Sequence, residues 1–144
     1  MKKINFEIVT PERVVYKAEV DSITIPTSTG EITVLPDHIP LISLLVPGEL
    51  RVKIGNEEEL MAVSGGFIEV RKDKVVILSD TAELAHEIDL AAVEEAKAKA
   101  EKLLKEKRAE NVDYVALAAN LERELARLKV GNKYKRIRRQ NPNI

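Results

Sequence analysis

Three short stretches carry side chains that could do chemistry: Ser64-Gly65-Gly66, Pro36-Asp37-His38-Ile39-Pro40, and the pair Arg123 and Arg127. A serine among glycines could sit on a nucleophile elbow, but the glycine that should precede it is missing, so the stretch reads as a tight turn between Val63 and Phe67. Asp37 and His38 could act as an acid–base pair. Neighbouring side chains between two prolines instead read as a rigid turn whose polar groups bond backbone, and a contact role for the loop stays open. General acid–base work needs groups converging on a pocket, and none is evident. His86 is the only other histidine and cysteine is absent, so no metal-ligand spacing forms, and no phosphate-loop lysine motif occurs. No catalytic residue, metal or resident cofactor is expected. Arg123 and Arg127, four apart, share a helix face and could clamp phosphate or carboxylate; the alternative is local pairing with Glu122 and Glu124.

What must position these residues changes abruptly near Asp89. Before it, apolar runs of strand length are cut by Pro11, Gly30, Pro36, Pro40, Pro47-Gly48, Gly55-Asn56, Gly65-Gly66 and Lys72-Asp73. Each supplies a fixed φ, tolerance of positive φ, or a side chain that bonds its own backbone. The runs begin near Ile4, Val14, Val20, Glu31, Leu41, Leu50, Glu59, Gly66 and Lys74, and nine or ten short strands in under ninety residues imply a β-sandwich or flattened barrel. Asp89 then suits an N-cap, and Leu90, Val93, Ala96, Ala100, Leu103 and Leu104 recur at helical spacing. The pattern lapses over 107–112, Asp113 can cap a second helix, and Tyr114, Leu117, Ala118, Leu121, Leu125 and Leu128 continue it. Gly131 and Asn132 read as its stop. The expectation is α+β: a sandwich over 1–87, an antiparallel two-helix hairpin over 88–130 acting as a mobile arm, and a basic, disordered tail over 131–144.

Composition narrows the partners. With no Trp, two Phe and three Tyr in 144 residues, the core must be aliphatic. The net charge of −1 conceals an asymmetry, since residues 1–88 hold nine cations against fifteen carboxylates and residues 89–144 hold fourteen against nine. The second-half excess lies in Lys133, Lys135, Arg136, Arg138 and Arg139. Nucleic acid would account only for that tail, because the rest is acidic and lacks an aromatic stacking platform. No stretch approaches the length of a membrane span, so direct membrane insertion is not expected. An adaptor with a helical arm would explain the layout but not the series of motifs within it.

That series resembles a known family. Gly30-Glu31, Leu35-Pro36 with His38-Ile39-Pro40-Leu41, Ala62 to Val70, Val76-Ile77-Leu78 with Asp80 to Glu83, Ile88-Asp89, and the hairpin with Asp113-Tyr114 and Arg123 to Leu128 are together similar to the epsilon subunit of the bacterial F-type rotary ATP synthase. The likeness covers about residues 4–130. It implies a ten-stranded sandwich seated on the gamma subunit and the ring of c subunits, turning with them in the central stalk. The subunit would be peripheral to the cytoplasmic face of the cell membrane. The hairpin would lie folded on the sandwich or extend along gamma toward the beta and alpha subunits, blocking ATP hydrolysis. Glu31 and His38 would face the c-ring, and the basic face with Arg123 and Arg127 would meet beta. Some members bind ATP on the folded hairpin. Of that motif Glu83, Ile88, Asp89, Arg123 and Arg127 match here, whereas Ala92 stands in place of its arginine, Val93 in place of its alanine, and Lys99 in place of another arginine. Neither alanine nor lysine reproduces a bidentate guanidinium, so ATP is expected to bind weakly or not at all.

Overall fold

The computed structural model describes residues 2–107 and 114–141. Ten strands come first: β1 (Ile4–Val9), β2 (Val14–Val20), β3 (Ser22–Thr27), β4 (Gly30–Val34), β5 (Leu41–Leu45), β6 (Gly48–Ile54), β7 (Glu57–Val63), β8 (Gly66–Val70), β9 (Lys74–Ser79) and β10 (Ala82–Leu84). A 3-10 turn at Ala85–Glu87 leads to α1 (Leu90–Lys107) and α2 (Tyr114–Gln140). The strands form one sheet in the order β10-β7-β6-β3-β5-β8-β9-β1-β2, with β4 on the other side of β3. β3 and β5 share only the Thr27–Leu45 pair, the corner where the sheet passes from one layer of the sandwich to the other. Every pairing is antiparallel except β1 with β9.

Alternation along the strands builds the core. Ile4, Phe6 and Ile8 of β1, Ile23 and Ile25 of β3, Leu50 and Val52 of β6, Met61 and Val63 of β7, and Ile77 of β9 point inward and are fully or almost fully buried. As composition requires, the filling is aliphatic, with Phe6 the one large ring, tilted against Tyr16 at 5.7 Å between centroids. β7 buries both of its faces. Met61 and Val63 enter the sandwich core, while Leu60 and Ala62 point outward into a second cluster with Ala85 and Val130, flanked by Ile88, Tyr134 and Ile137. That second cluster is where the helices dock.

Two expectations about the helical half are corrected. α2 does not stop at Gly131 but runs unbroken to Gln140, so residues 131–140 are helix and part of the packed structure rather than a disordered tail. Glycine there serves contact, not termination. A Cβ at Gly131 would come within 2.6 Å of Leu90 Cδ2 and 3.2 Å of Ile88 Cγ2, so its lack of a side chain lets α2 close on the start of α1. The apolar stripe also differs, because α2 packs against α1 on one side and β6, β7 and the 3-10 turn on another. Its buried residues are Glu124, Ala126, Val130 and Gly131, while Tyr114 and Leu125 are exposed. On α1, Val93 and Ala100 are buried as expected. The lapse at 107–112 and the Asp113 cap fall largely or wholly outside the described residues.

Candidate interaction surfaces

The turn residues behave as structure. Ser64 Oγ accepts from Thr81 N–H at 2.8 Å and the Ser64 N–H reaches Thr81 O at 3.0 Å, tying the β7–β8 turn to the start of β10. Asp37 adopts φ 62°, a region that Asp tolerates, and its carboxylate takes an ion pair from Lys2 at 2.6 Å. Lys2 holds the Asp37 carboxyl below its ordinary range. His38 bonds through Nδ1 to Ile39 O at 2.7 Å. Exposed Leu35 and Ile39 flank it, so the β4–β5 loop presents apolar side chains beside an imidazole. Glu31, at the start of β4, is engaged by Arg51 of β6 at 2.7 Å.

Glu83, Arg123 and Arg127 converge where the hairpin meets the sandwich. They line one cleft with Arg13, Glu87 and Glu124. Within it Arg127 grips both oxygens of Glu83, Nε to Oε2 at 2.8 Å and Nη2 to Oε1 at 3.3 Å, and also donates to Glu124 at 2.9 Å. Burial alone would lower the guanidinium's pKa, but the two carboxylates outweigh it and raise it. Arg123 donates to Asn120 and lies 3.9 Å from Glu124. Ile88 and Asp89 are not among the residues lining this cleft. Ile88 packs in the second cluster, and Asp89 caps α1, its Oδ1 accepting from Ala92 N–H at 3.2 Å. The local pairing of Arg127 with Glu124 is therefore present, and Nε, Nη1 and Nη2 of Arg127 each donate to one of the two carboxylates.

One functional feature was not anticipated from the sequence: a row of exposed apolar side chains across the opposite layer. Register places Leu44 opposite Phe67, Phe67 opposite Leu78, Leu78 opposite Val9, and Val9 opposite Val14. Leu44, Phe67, Leu78 and Val14 are each half exposed or slightly more, and Ile42, two residues before Leu44 on the same face, is 75% exposed. Five neighbouring strands make a band about 19 Å wide at the usual strand spacing. Contiguous apolar surface of this kind marks a protein contact. The signal was available, since Leu41 to Leu45 and Val75 to Leu78 carry apolar residues on both faces, as strands covered on two sides do. The hairpin covers the outer side of β6 and β7, so this row stays open while the hairpin is folded.

Among the described residues no group of three or more potential ligands could hold a metal ion, and no helix is long and apolar enough to cross a membrane. The ATP synthase delta/epsilon chain β-sandwich domain matches residues 3–85, and the long alpha-helix domain of the same chains matches residues 86–132. An ATP synthase epsilon chain of Dehalococcoides mccartyi is 45% identical over 144 residues, covering all of both chains. Another from Halalkalibacterium halodurans is 41% identical over 92% of this chain and all of its own. A chain from the cryo-EM structure of the Euglena gracilis mitochondrial ATP synthase OSCP/F1/c-ring assembly superposes with a TM-score of 0.70 at 26% identity, covering 85% of this chain and 77% of that one.

Proposed function

The chain belongs to the ATP synthase delta/epsilon chain family, on its epsilon side, and from that premise we propose that it is a non-catalytic central-stalk subunit that couples gamma to the c-ring and restrains ATP hydrolysis through its helical hairpin. The observation that carries this reading is the division of labour between the two layers of the sandwich. The apolar row on β5, β8, β9, β1 and β2 is the seat for gamma, because obligate contacts bury apolar surface and this row is open with the hairpin folded on β6 and β7. The β4 start and the β4–β5 loop, with Glu31, His38 and exposed Leu35 and Ile39, are the contact with the polar loops of the c-ring. Through these partners the subunit sits at the cytoplasmic face of the cell membrane without entering it.

The arm is α1 and α2. Away from Val130 its contacts are modest: α1 buries two residues fully, and the first ten residues of α2 none. Elements with few buried contacts open at low free energy, and a switch needs only a few kcal/mol between its states. Once released, Arg123 and Arg127 would be available to acidic surfaces of the beta and alpha subunits. ATP binds the folded arm weakly or not at all, because Glu83 and Glu124 already neutralise Arg127.

ATP hydrolysis by a catalytic head depleted of epsilon, titrated with the full chain and with a version ending at Glu87, tests this. Inhibition by the full chain alone puts the anchor in the sandwich and the restraint in the hairpin. Binding of neither version would overturn the assignment.

A further inference from the structure

The end of α2 docks on the sandwich through an apolar cluster, and most of that contact lies beyond the point where the helix pattern invites a stop. Val130 is fully buried, Gly131 is buried with Leu90 and Ile88 closed over it, and Tyr134 and Ile137 pack one and two turns further along, flanking Leu60 and Ala62. Between them Lys133 Nζ reaches Glu49 Oε1 at 2.7 Å, with the Glu49 side chain only 5% exposed. The contact does not end there. Glu49 also accepts from Arg51 at 3.0 Å, and Arg51 holds Glu31 at 2.7 Å, so four side chains of alternating charge run from the start of β4 across β6 to α2.

We propose that residues 130–137 of α2 are a latch that holds the hairpin on the sandwich, with the Lys133–Glu49 pair as its polar key and Glu31 as the far end of its charge chain. A buried carboxylate with two cationic partners is well held, and removing Lys133 leaves Glu49, itself only 5% exposed, with Arg51 as its one remaining cation. The latch is built from the chain's own residues and needs no ligand. A partner that draws Glu31 away from Arg51 frees that guanidinium to turn fully to Glu49, which loosens the hold on Lys133. Contact at the β4 edge and seating of the arm are thereby joined. This regulatory sense rests on the function proposed above; the latch itself does not.

Amide hydrogen exchange on the full chain tests it, with sandwich amides such as Ile8 and Ile77 as the internal standard of folding. Lys133→Glu should speed exchange along α2 by about tenfold or more, as breaking a buried pair implies, while the sandwich amides stay protected. Gly131→Leu separates the latch from simple helix strength. Leucine favours helix over glycine, so a continuous but undocked helix would exchange more slowly, whereas a latch forced off Leu90 and Ile88 exchanges faster. Glu49→Gln approaches the same pair from the sandwich side and should also speed exchange along α2. Unchanged exchange in Lys133→Glu and Glu49→Gln, or slower exchange in Gly131→Leu, would overturn the proposal. Because the readout needs no partner, a failure to bind the catalytic head counts against the proposed function and leaves the latch result readable.

Discussion

Arg127 on α2 and Glu83 on β10 face each other fork to fork, two hydrogen bonds joining residues 44 apart in sequence at the seam between arm and sandwich. Bidentate pairing fixes the guanidinium in orientation as well as position.

The first prediction concerns nucleotide. With Arg127 committed to Glu83 and Glu124, with Asp89 serving as an N-cap, and with Ala92 where an arginine would be needed, calorimetric titration of ATP into the isolated chain should show no saturable heat up to about 1 mM, a ceiling near 4 kcal/mol of binding free energy. Ala92→Arg combined with Lys99→Arg should strengthen binding. Tight, magnesium-independent binding by the natural chain would sink this view.

The second concerns the apolar row. Phe67→Asp changes a side chain that is 55% exposed and lies outside the sandwich core, so its effect on folding stability should be about 1–2 kcal/mol and leave the chain folded. Affinity for the gamma subunit should drop by about thirtyfold or more, as expected for an aromatic at the centre of a contact. Surface plasmon resonance with immobilised gamma would measure it, and unaltered affinity would move the gamma seat elsewhere.

The third concerns Gly66. A Cβ there would lie 1.9 Å from the carbonyl oxygen of Leu78, a backbone atom that can move only with β9. Gly66→Ala should cost about 2–4 kcal/mol in urea unfolding. A loss below about 1 kcal/mol would mean that β8 and β9 separate more easily than their register implies.

The fourth concerns acid. Burial works to raise the Glu49 carboxyl, but hydrogen bonds from Lys133 and Arg51 outweigh it and hold the group below its ordinary range. Lys133 on α2, Arg51 on β6 and, across Arg51, Glu31 on β4 are the charged groups facing it. A carboxyl depressed in the docked state binds fewer protons there than when undocked. Its stabilisation is complete above the undocked value and is lost as pH falls through the lower, docked value. Signals from Ala85 and Val130 should therefore shift in acid before those of the sandwich core. Glu49→Gln should remove that early step, and an identical acid transition in the variant would exclude Glu49 as its source.

The sandwich was legible because its punctuation is strong and β1, β4, β5, β6, β7 and β8 each end within a few residues of a proline, glycine or Lys-Asp turn. β10 escaped as a separate strand because three residues show no period, and β6 begins two residues before Leu50 because Gly48 and Glu49 join the ladder to β7. The end of α2 was obscured by one residue with two uses. Gly131 followed by Asn132 has the chemistry of a helix stop, yet tertiary contact with Leu90 and Ile88 uses the same missing side chain for close approach. The spacing of Val130, Tyr134 and Ile137 was the opposing clue. Glu49 and Lys133 could not be paired from sequence, since nothing local links residues 84 apart.

The parallel pairing of β1 with β9 also sets an order of events during synthesis. Ile4 to Val9 leave the ribosome well before the strand they align with, Lys74 to Ser79, which follows some seventy residues later. Until then β1 has only β2 beside it, and a two-stranded ribbon is marginal in water. The sandwich therefore closes late, through contacts distant in sequence, which is the slow route to a fold. Leu60 and Ala62 then stand ready as a finished surface when Val130 to Ile137 follow. The end of α2 settles on ground already prepared.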